Sequence, residues 1–124
     1  MLNVAGVKKA IQFIEANLTK PLTLTEVARE SGMSKYHFAR TFKTLTGKTF
    51  KEYLNYRRVE QATILLRKGD ITVTEVCFQV GFNDLSYFDR VFKKLVGKSP
   101  LAYQKELGRS EREVLADPPL SHQD

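Results

Sequence analysis

Three basic side chains occur twice in register. Phe38–Lys48 reads FARTFKTLTGK and Phe88–Lys98 reads FDRVFKKLVGK, so Arg40, Lys43 and Lys48 recur fifty residues on as Arg90, Lys93 and Lys98. A guanidinium can pair bidentately with guanine O6 and N7, and an ammonium suits a phosphate oxygen. Other chemistry has little to work with. The histidines are His37 and His122, and the one cysteine is Cys77. Neither a carboxylate pair, a Gly-rich phosphate loop nor a metal-ligand spacing is evident, so no enzyme activity, metal or cofactor is expected. Cys77 falls on an apolar stripe and reads as a small core residue.

The charge balance agrees with an anionic partner. The chain of 124 residues has 20 Lys and Arg against 14 Asp and Glu, and residues 1–107 alone carry 18 against 10, a net of +8. A basic body favours nucleic acid or an anionic membrane surface. Short, capped, Gly-punctuated helices argue against a membrane-surface role, and no run of apolar residues is long enough for a span or a signal peptide. With a single cysteine, the expectation is a cytoplasmic protein with no membrane partner. Eight Phe and five Tyr beside 27% charged residues describe a packed chain, with one modest core or two very small ones.

The elements that must position the repeated residues are helices. With Phe38 at zero and 100° per residue, Phe42 and Leu45 fall within about 40° of it. These three form a predicted core stripe, with Tyr36, Arg40 and Lys43 near the opposite pole. In the second copy Phe88, Phe92 and Leu95 are the stripe, and Ser86, Arg90 and Lys93 point away. A core requires the first set. It does not require the matched Arg and Lys.

The repeat extends upstream. Leu22–Ser34 is LTLTEVARESGMS and Ile71–Asn83 is ITVTEVCFQVGFN, at an offset of 49 that becomes 50 before the two Phe. Thr23–Glu26, Thr49–Glu52 and Thr72–Glu75 are capping boxes, in which hydroxyl and carboxylate each serve an orphan N–H. Gly32 and Gly81 suit left-handed helix ends, Gly47 and Gly97 end the longer helices, and Ser34 and Asn83 are expected caps. Ser99-Pro100 predicts one more helix start. Val4, Val7, Ile11, Ile14 and Leu18 give the stripe of a first helix, expected to end at Pro21. Val73, Val76, Cys77 and Val80 give another buried face. No segment alternates with period two.

The expected fold is therefore all-α, with about seven helices and two helix-turn-helix subdomains joined by a long linker helix. The expected divisions are 1–48, 49–69 for the linker and 70–107, followed by a mobile tail at 108–124. At about 1.5 Å per residue the linker helix is roughly 28 Å long. That suits two units about one DNA turn, roughly 34 Å, apart.

GFNDLSYFDRVFKKLVGKSPLAY, residues 81–103, resembles the C-terminal signature of the AraC/XylS family of bacterial transcription regulators. RRVEQATILLRKGDITVTEVCFQVGF also fits that family's linker helix and second unit, and the resemblance covers roughly residues 5–107. It implies a monomeric DNA-binding unit of seven helices, with two recognition helices in successive major grooves of an asymmetric operator of double-stranded DNA. Carried over by position, Tyr36, Ala39 and Arg40 read bases in the first unit, and Leu85, Ser86, Asp89 and Arg90 in the second. Lys35, Lys43, Lys48, Lys93 and Lys98 are the candidate phosphate contacts.

Several positions depart from the pattern. Ala39 offers only apolar contact, for example to a thymine methyl. Leu85 lies about 60° from Phe88, so a core-flanking position is open to it as well as a base-facing one. Asp89 suits either a cytosine N4 or holding Arg90. Gln104 stands where the family often has Arg, which would remove a backbone contact. The resemblance implies a regulator, expected to activate, with RNA polymerase as a further candidate partner. The alternative is a helix-turn-helix module acting mainly through protein contacts. The Met1 start and short length suit a stand-alone regulator, the C-terminal part of a larger sensor being the other arrangement. No small-molecule effector site is expected within the chain.

Overall fold

A computed structural model describes residues 2–107, and the expected mobile tail lies outside them. The order is α1 (Val4–Ala16), α2 (Leu24–Ser31), α3 (Lys35–Thr46), α4 (Phe50–Lys68), α5 (Val73–Gln79), α6 (Leu85–Val96) and α7 over residues 100–107. No strand occurs among the described residues, and the all-α, seven-helix expectation holds. Two compact units divide at Arg58 and Val59, inside α4. The helix expected to link the units thus lends its first half to one and its second half to the other.

The first unit is built on Val7, Ala10 and Ile14 of α1, Val27 and Ala28 of α2, Phe38 and Phe42 of α3, and Leu54 of α4. Helix α1 can approach α2 closely because position 6 is glycine: a Cβ there would stand 2.6 Å from the Ser31 carbonyl oxygen. The Phe42 ring meets the Phe38 ring at 5.3 Å and the edge of Tyr53 at 5.5 Å, in the tilted and T-shaped contacts aromatic quadrupoles favour.

The second unit repeats this plan. Phe88 and Phe92 stand 5.7 Å apart, and Phe92 meets Tyr103 of α7 edge-on at 5.7 Å. Val76, Cys77 and Val80 close the core from the α5 side, as their spacing predicts. Phe82 adds a ring 5.0 Å from Phe88, at the position Met33 holds in the first unit.

All three capping boxes form. Thr23, Thr49 and Thr72 each accept the N–H three residues on, at 3.1 Å, and each receives the carboxylate of Glu26, Glu52 or Glu75 on its own N–H. The shared cap N–H is the first cause holding the Glu52 and Glu75 carboxyls below the ordinary range. Ser99 caps α7 through the Ala102 N–H. Gly47 and Gly97 leave α3 and α6 at φ 81° and 96°, where a side chain would clash with its own backbone.

Four local expectations are corrected. Helix α1 ends at Ala16 rather than at Pro21, because the Asn17 amide turns back onto the Phe13 carbonyl. Leu18 is buried in the turn beyond it, whereas Val4, in the first turn, is exposed. The cap of α6 is Asp84 rather than Asn83, its Oδ1 accepting the Tyr87 N–H at 3.0 Å. Both units turn the same way after the short helix, with Met33 and Phe82 donating to the carbonyls of Ala28 and Cys77. The extra residue of the second copy lengthens the chain before the cap and pushes the cap along by one. Leu45 and Leu95 are exposed, at 38% and 46%. Their angle on the helix is right, but the packed layer passes beside them: Val96, the next residue, packs on the second core while Leu95 does not, and Leu45 likewise stays outside the first.

Candidate nucleic-acid interface

Helix α3 starts at Ser34, whose hydroxyl accepts the His37 N–H at 3.2 Å. It is anchored by Phe38, Thr41 and Phe42, all buried. That anchoring turns the opposite arc to solvent. Tyr36 is 78% exposed, and Lys35, Arg40 and Lys43 are exposed beside it, with Ala39 half-buried. Tyr36, Ala39, Arg40 and Lys43 line one shallow concavity. Thr44 completes that lining; its place beside Lys43 on the outer arc was the signal for it. The concavity offers a phenol, a methyl, a guanidinium, an ammonium and a hydroxyl, a set suited to base edges and phosphate rather than to bond-making chemistry.

Helix α6 presents the equivalent arc. Ser86, Asp89, Arg90 and Lys93 are exposed, as is Lys94, the counterpart of Thr44. Leu85 is half-buried against the second core. The Arg90 guanidinium lies over the Tyr87 ring, 5.8 Å from its centroid, a contact that orients the group without cancelling its charge.

The lysines after the two helices are placed differently. Lys48 stands over the Tyr56 ring at 5.1 Å. Lys98 forms an ion pair with Glu106. The Thr46 hydroxyl, 2.8 Å from the Phe42 carbonyl, also accepts the Lys48 N–H at 3.2 Å and so braces that turn.

Two arginines of α4 serve the fold. Arg57 grips Glu15 with Nε and Nη2 at 2.8 and 2.7 Å, and this is the first cause holding the Glu15 carboxyl below its ordinary range. Arg58 is buried and donates from Nε and Nη2 to the carbonyls of Leu18 and Lys20, both at 2.8 Å. The sequence held a sign of this. Leu54, Arg58, Ala62 and Leu66 follow at i+4 steps, so Arg58 stands on a buried row. Gln104 likewise donates to the Ile71 carbonyl at 2.8 Å.

Cys77 is fully buried, and burial is the first cause raising its thiol pKa, so it is a core residue. Among the described residues no group of three His, Cys, Asp or Glu could hold a metal, and no helix is long and apolar enough to cross a membrane. His122 lies outside the described residues.

Residues 27–106 match a helix-turn-helix domain model. Regulatory protein SoxS of Salmonella typhimurium is 30% identical over 101 residues, 82% of this chain and 94% of that protein. Regulatory protein PocR of the same species is 32% identical over 103 residues, and the HTH-type transcriptional regulator YdeC of Bacillus subtilis 31% over 105. The chain spans only about a third of these two, 34% and 36% of their lengths. Among solved structures, the DNA-binding domain of AdpA, in complex with a target DNA, superposes with a TM-score of 0.80 at 28% identity, covering 88% of this chain and 97% of that one. The C-terminal domain of the response regulator yesN from Fusobacterium nucleatum gives 0.73 at 31% identity, covering 78% and 95%.

Proposed function

The chain belongs to the AraC/XylS family, as the DNA-binding helix-turn-helix domain of a transcription regulator, and from that premise we propose that it reads one asymmetric operator with two recognition helices, α3 and α6, in successive major grooves. Tyr36, Ala39 and Arg40 read bases in the first half-site; Ser86, Asp89 and Arg90 read them in the second, with Leu85 as an apolar shoulder. Lys35, Lys43, Lys48 and Lys93 meet phosphates, whereas Lys98, the remaining candidate, is held by Glu106. Binding activates transcription in the cytoplasm, with RNA polymerase as the protein partner.

The observation that supports this best is the pairing of Arg40 with Arg90 and Lys43 with Lys93 on exposed arcs, each opposite a buried Phe pair. Packing accounts for the repeated phenylalanines and leaves the repeated cations to a ligand. The residues that differ, Tyr36 against Ser86 and Ala39 against Asp89, let the two helices prefer different bases.

Selection from random-sequence duplex DNA with the purified chain tests the reading. The expected product is a site with two unlike elements about 10 base pairs apart, bound with a log–log salt slope near −0.9 for each neutralised phosphate. A single element would remove α6 from base reading. Failure to bind duplex DNA, or a flat salt response, would transfer the exposed arcs to protein binding. Transcription from a promoter carrying the selected site then reads the sign, and repression would refute activation.

A further inference from the structure

The division within α4 separates two bodies of very unequal charge. Residues 1–58 hold eleven Lys and Arg against four Asp and Glu, a net of +7, whereas residues 59–107 hold seven against six, a net of +1. The difference reaches the helices that present the repeated cations. Around α3 stand Lys35, Arg40 and Lys43 with a neutral Ser34 cap. Around α6, Arg90, Lys93 and Lys94 are opposed by Asp89 and by the Asp84 cap.

The sharpest contrast lies one turn on. Lys48 and Lys98 are equivalent at an offset of fifty, and so are Tyr56 and Glu106. The lysine thus finds an aromatic ring in one unit and a carboxylate in the other. A ring face holds an ammonium in place and leaves its charge available; a carboxylate opposes it, here in a pair 42% and 53% exposed. Glu52 also stands near Lys48 and Lys43 and attracts both, but its hydrogen bonds go to Thr49 rather than to either lysine. Thr46, which braces the Lys48 turn, has Val96 as its counterpart, with no hydroxyl to do the same.

We infer that Glu106 withholds Lys98 from the DNA backbone, so that the first unit is the electrostatic anchor and the second contributes mainly base discrimination. This rests on the DNA-binding reading above. The two half-sites then have different roles. The first unit supplies most of the backbone attraction as well as its own base contacts, and the second adds affinity chiefly where its bases fit.

The test is a fluorescence-anisotropy titration of a mixed-sequence duplex over a KCl series, with the unsubstituted chain, Lys48→Gln, Lys98→Gln, Glu106→Gln and the Lys98→Gln/Glu106→Gln double variant. Far-UV circular dichroism confirms that each is folded. Lys48→Gln should flatten the salt slope by about 0.9 and weaken binding about 8-fold at ~0.1 M salt, the ratio one phosphate contact gives. Lys98→Gln, which bares the Glu106 carboxylate, should weaken binding less than Lys48→Gln does. Glu106→Gln should steepen the slope by about 0.9 and tighten binding by up to about 8-fold, and the double variant should lose that gain. Equal losses from Lys48→Gln and Lys98→Gln, or no gain from Glu106→Gln, would overturn the inference. So would a gain that survives in the double variant, since Glu106 would then repel DNA without acting through Lys98. A flat salt response of the unsubstituted chain would instead overturn the DNA-binding reading, and this inference with it.

Discussion

Replacing Arg58 should destabilise the first unit without altering any surface that meets a ligand. The side chain is 8% exposed and satisfies two carbonyls, of Leu18 and Lys20, where the chain leaves α1. Hydrogen bonds from a charged donor contribute about 1.5–3 kcal/mol each. Arg58→Met keeps the apolar stem and releases a buried charge whose desolvation offsets part of that gain. The net loss should be about 2–4 kcal/mol, a large share of the ~5–15 kcal/mol of a typical domain. Arg58→Ala also empties the volume of the stem and should cost about 3–5 kcal/mol. Arg58→Lys, able to serve one carbonyl, should cost about 1–2 kcal/mol. Urea unfolding followed by circular dichroism reads these values. In a thermal scan, a loss of about 3 kcal/mol lowers the midpoint by roughly 10–20 °C. If Arg58→Met lies within about 0.5 kcal/mol of the parent, the ordinary range for a neutral surface change, water serves those carbonyls equally well and the anchoring role is refuted.

Phe88→Ala should cost about 3–5 kcal/mol, whereas Leu95→Ala, on the same stripe but exposed, should stay within about 0.5 kcal/mol; equal costs in urea titrations would place Leu95 in the core after all. Glu15, whose folded pKa is lowered chiefly by Arg57, stabilises the fold above its unfolded pKa, and that stabilisation is lost as pH falls through the folded value. Glu15→Gln should therefore be less stable than the parent at pH 7 and converge with it in strong acid; a constant gap would contradict the linkage. Arg40→Ala should relax base preference at one operator position, by about 1–3 kcal/mol, while equal loss on every sequence would make Arg40 a phosphate contact. Lys93→Ala should weaken binding to all duplexes alike and lower the salt slope by about one; altered base preference would contradict that role.

The helices and their order were legible in the sequence because local rules produce them. A Thr followed three residues on by Glu closes a capping box wherever the chain is free to coil, and all three did. The exposed arcs of α3 and α6 followed as directly, since 100° per residue opposes Arg40 to Phe38 whatever the neighbours are. That is why Tyr36, Arg40 and Lys43 were picked out together; the family resemblance added Ala39, and all four line one concavity.

Tertiary structure decided what angle and propensity leave open. Angle gives the side of a helix but not which positions on that side the opposing layer covers, so Leu45 and Leu95 share a face with buried Phe and remain exposed. Asn83 and Asp84 are both good caps, and the path of the longer turn selected Asp84. Charge counts treat every cation alike. Packing does not: it buries Arg58 on carbonyls, commits Arg57 to Glu15, and sets Lys98 against Glu106 while Lys48 rests on a ring. Composition and periodicity made a basic double helix-turn-helix chain, because each depends on residues a few positions apart. Which of its cations are left for DNA depends on partners brought from up to 42 residues away, and only the folded chain makes that choice.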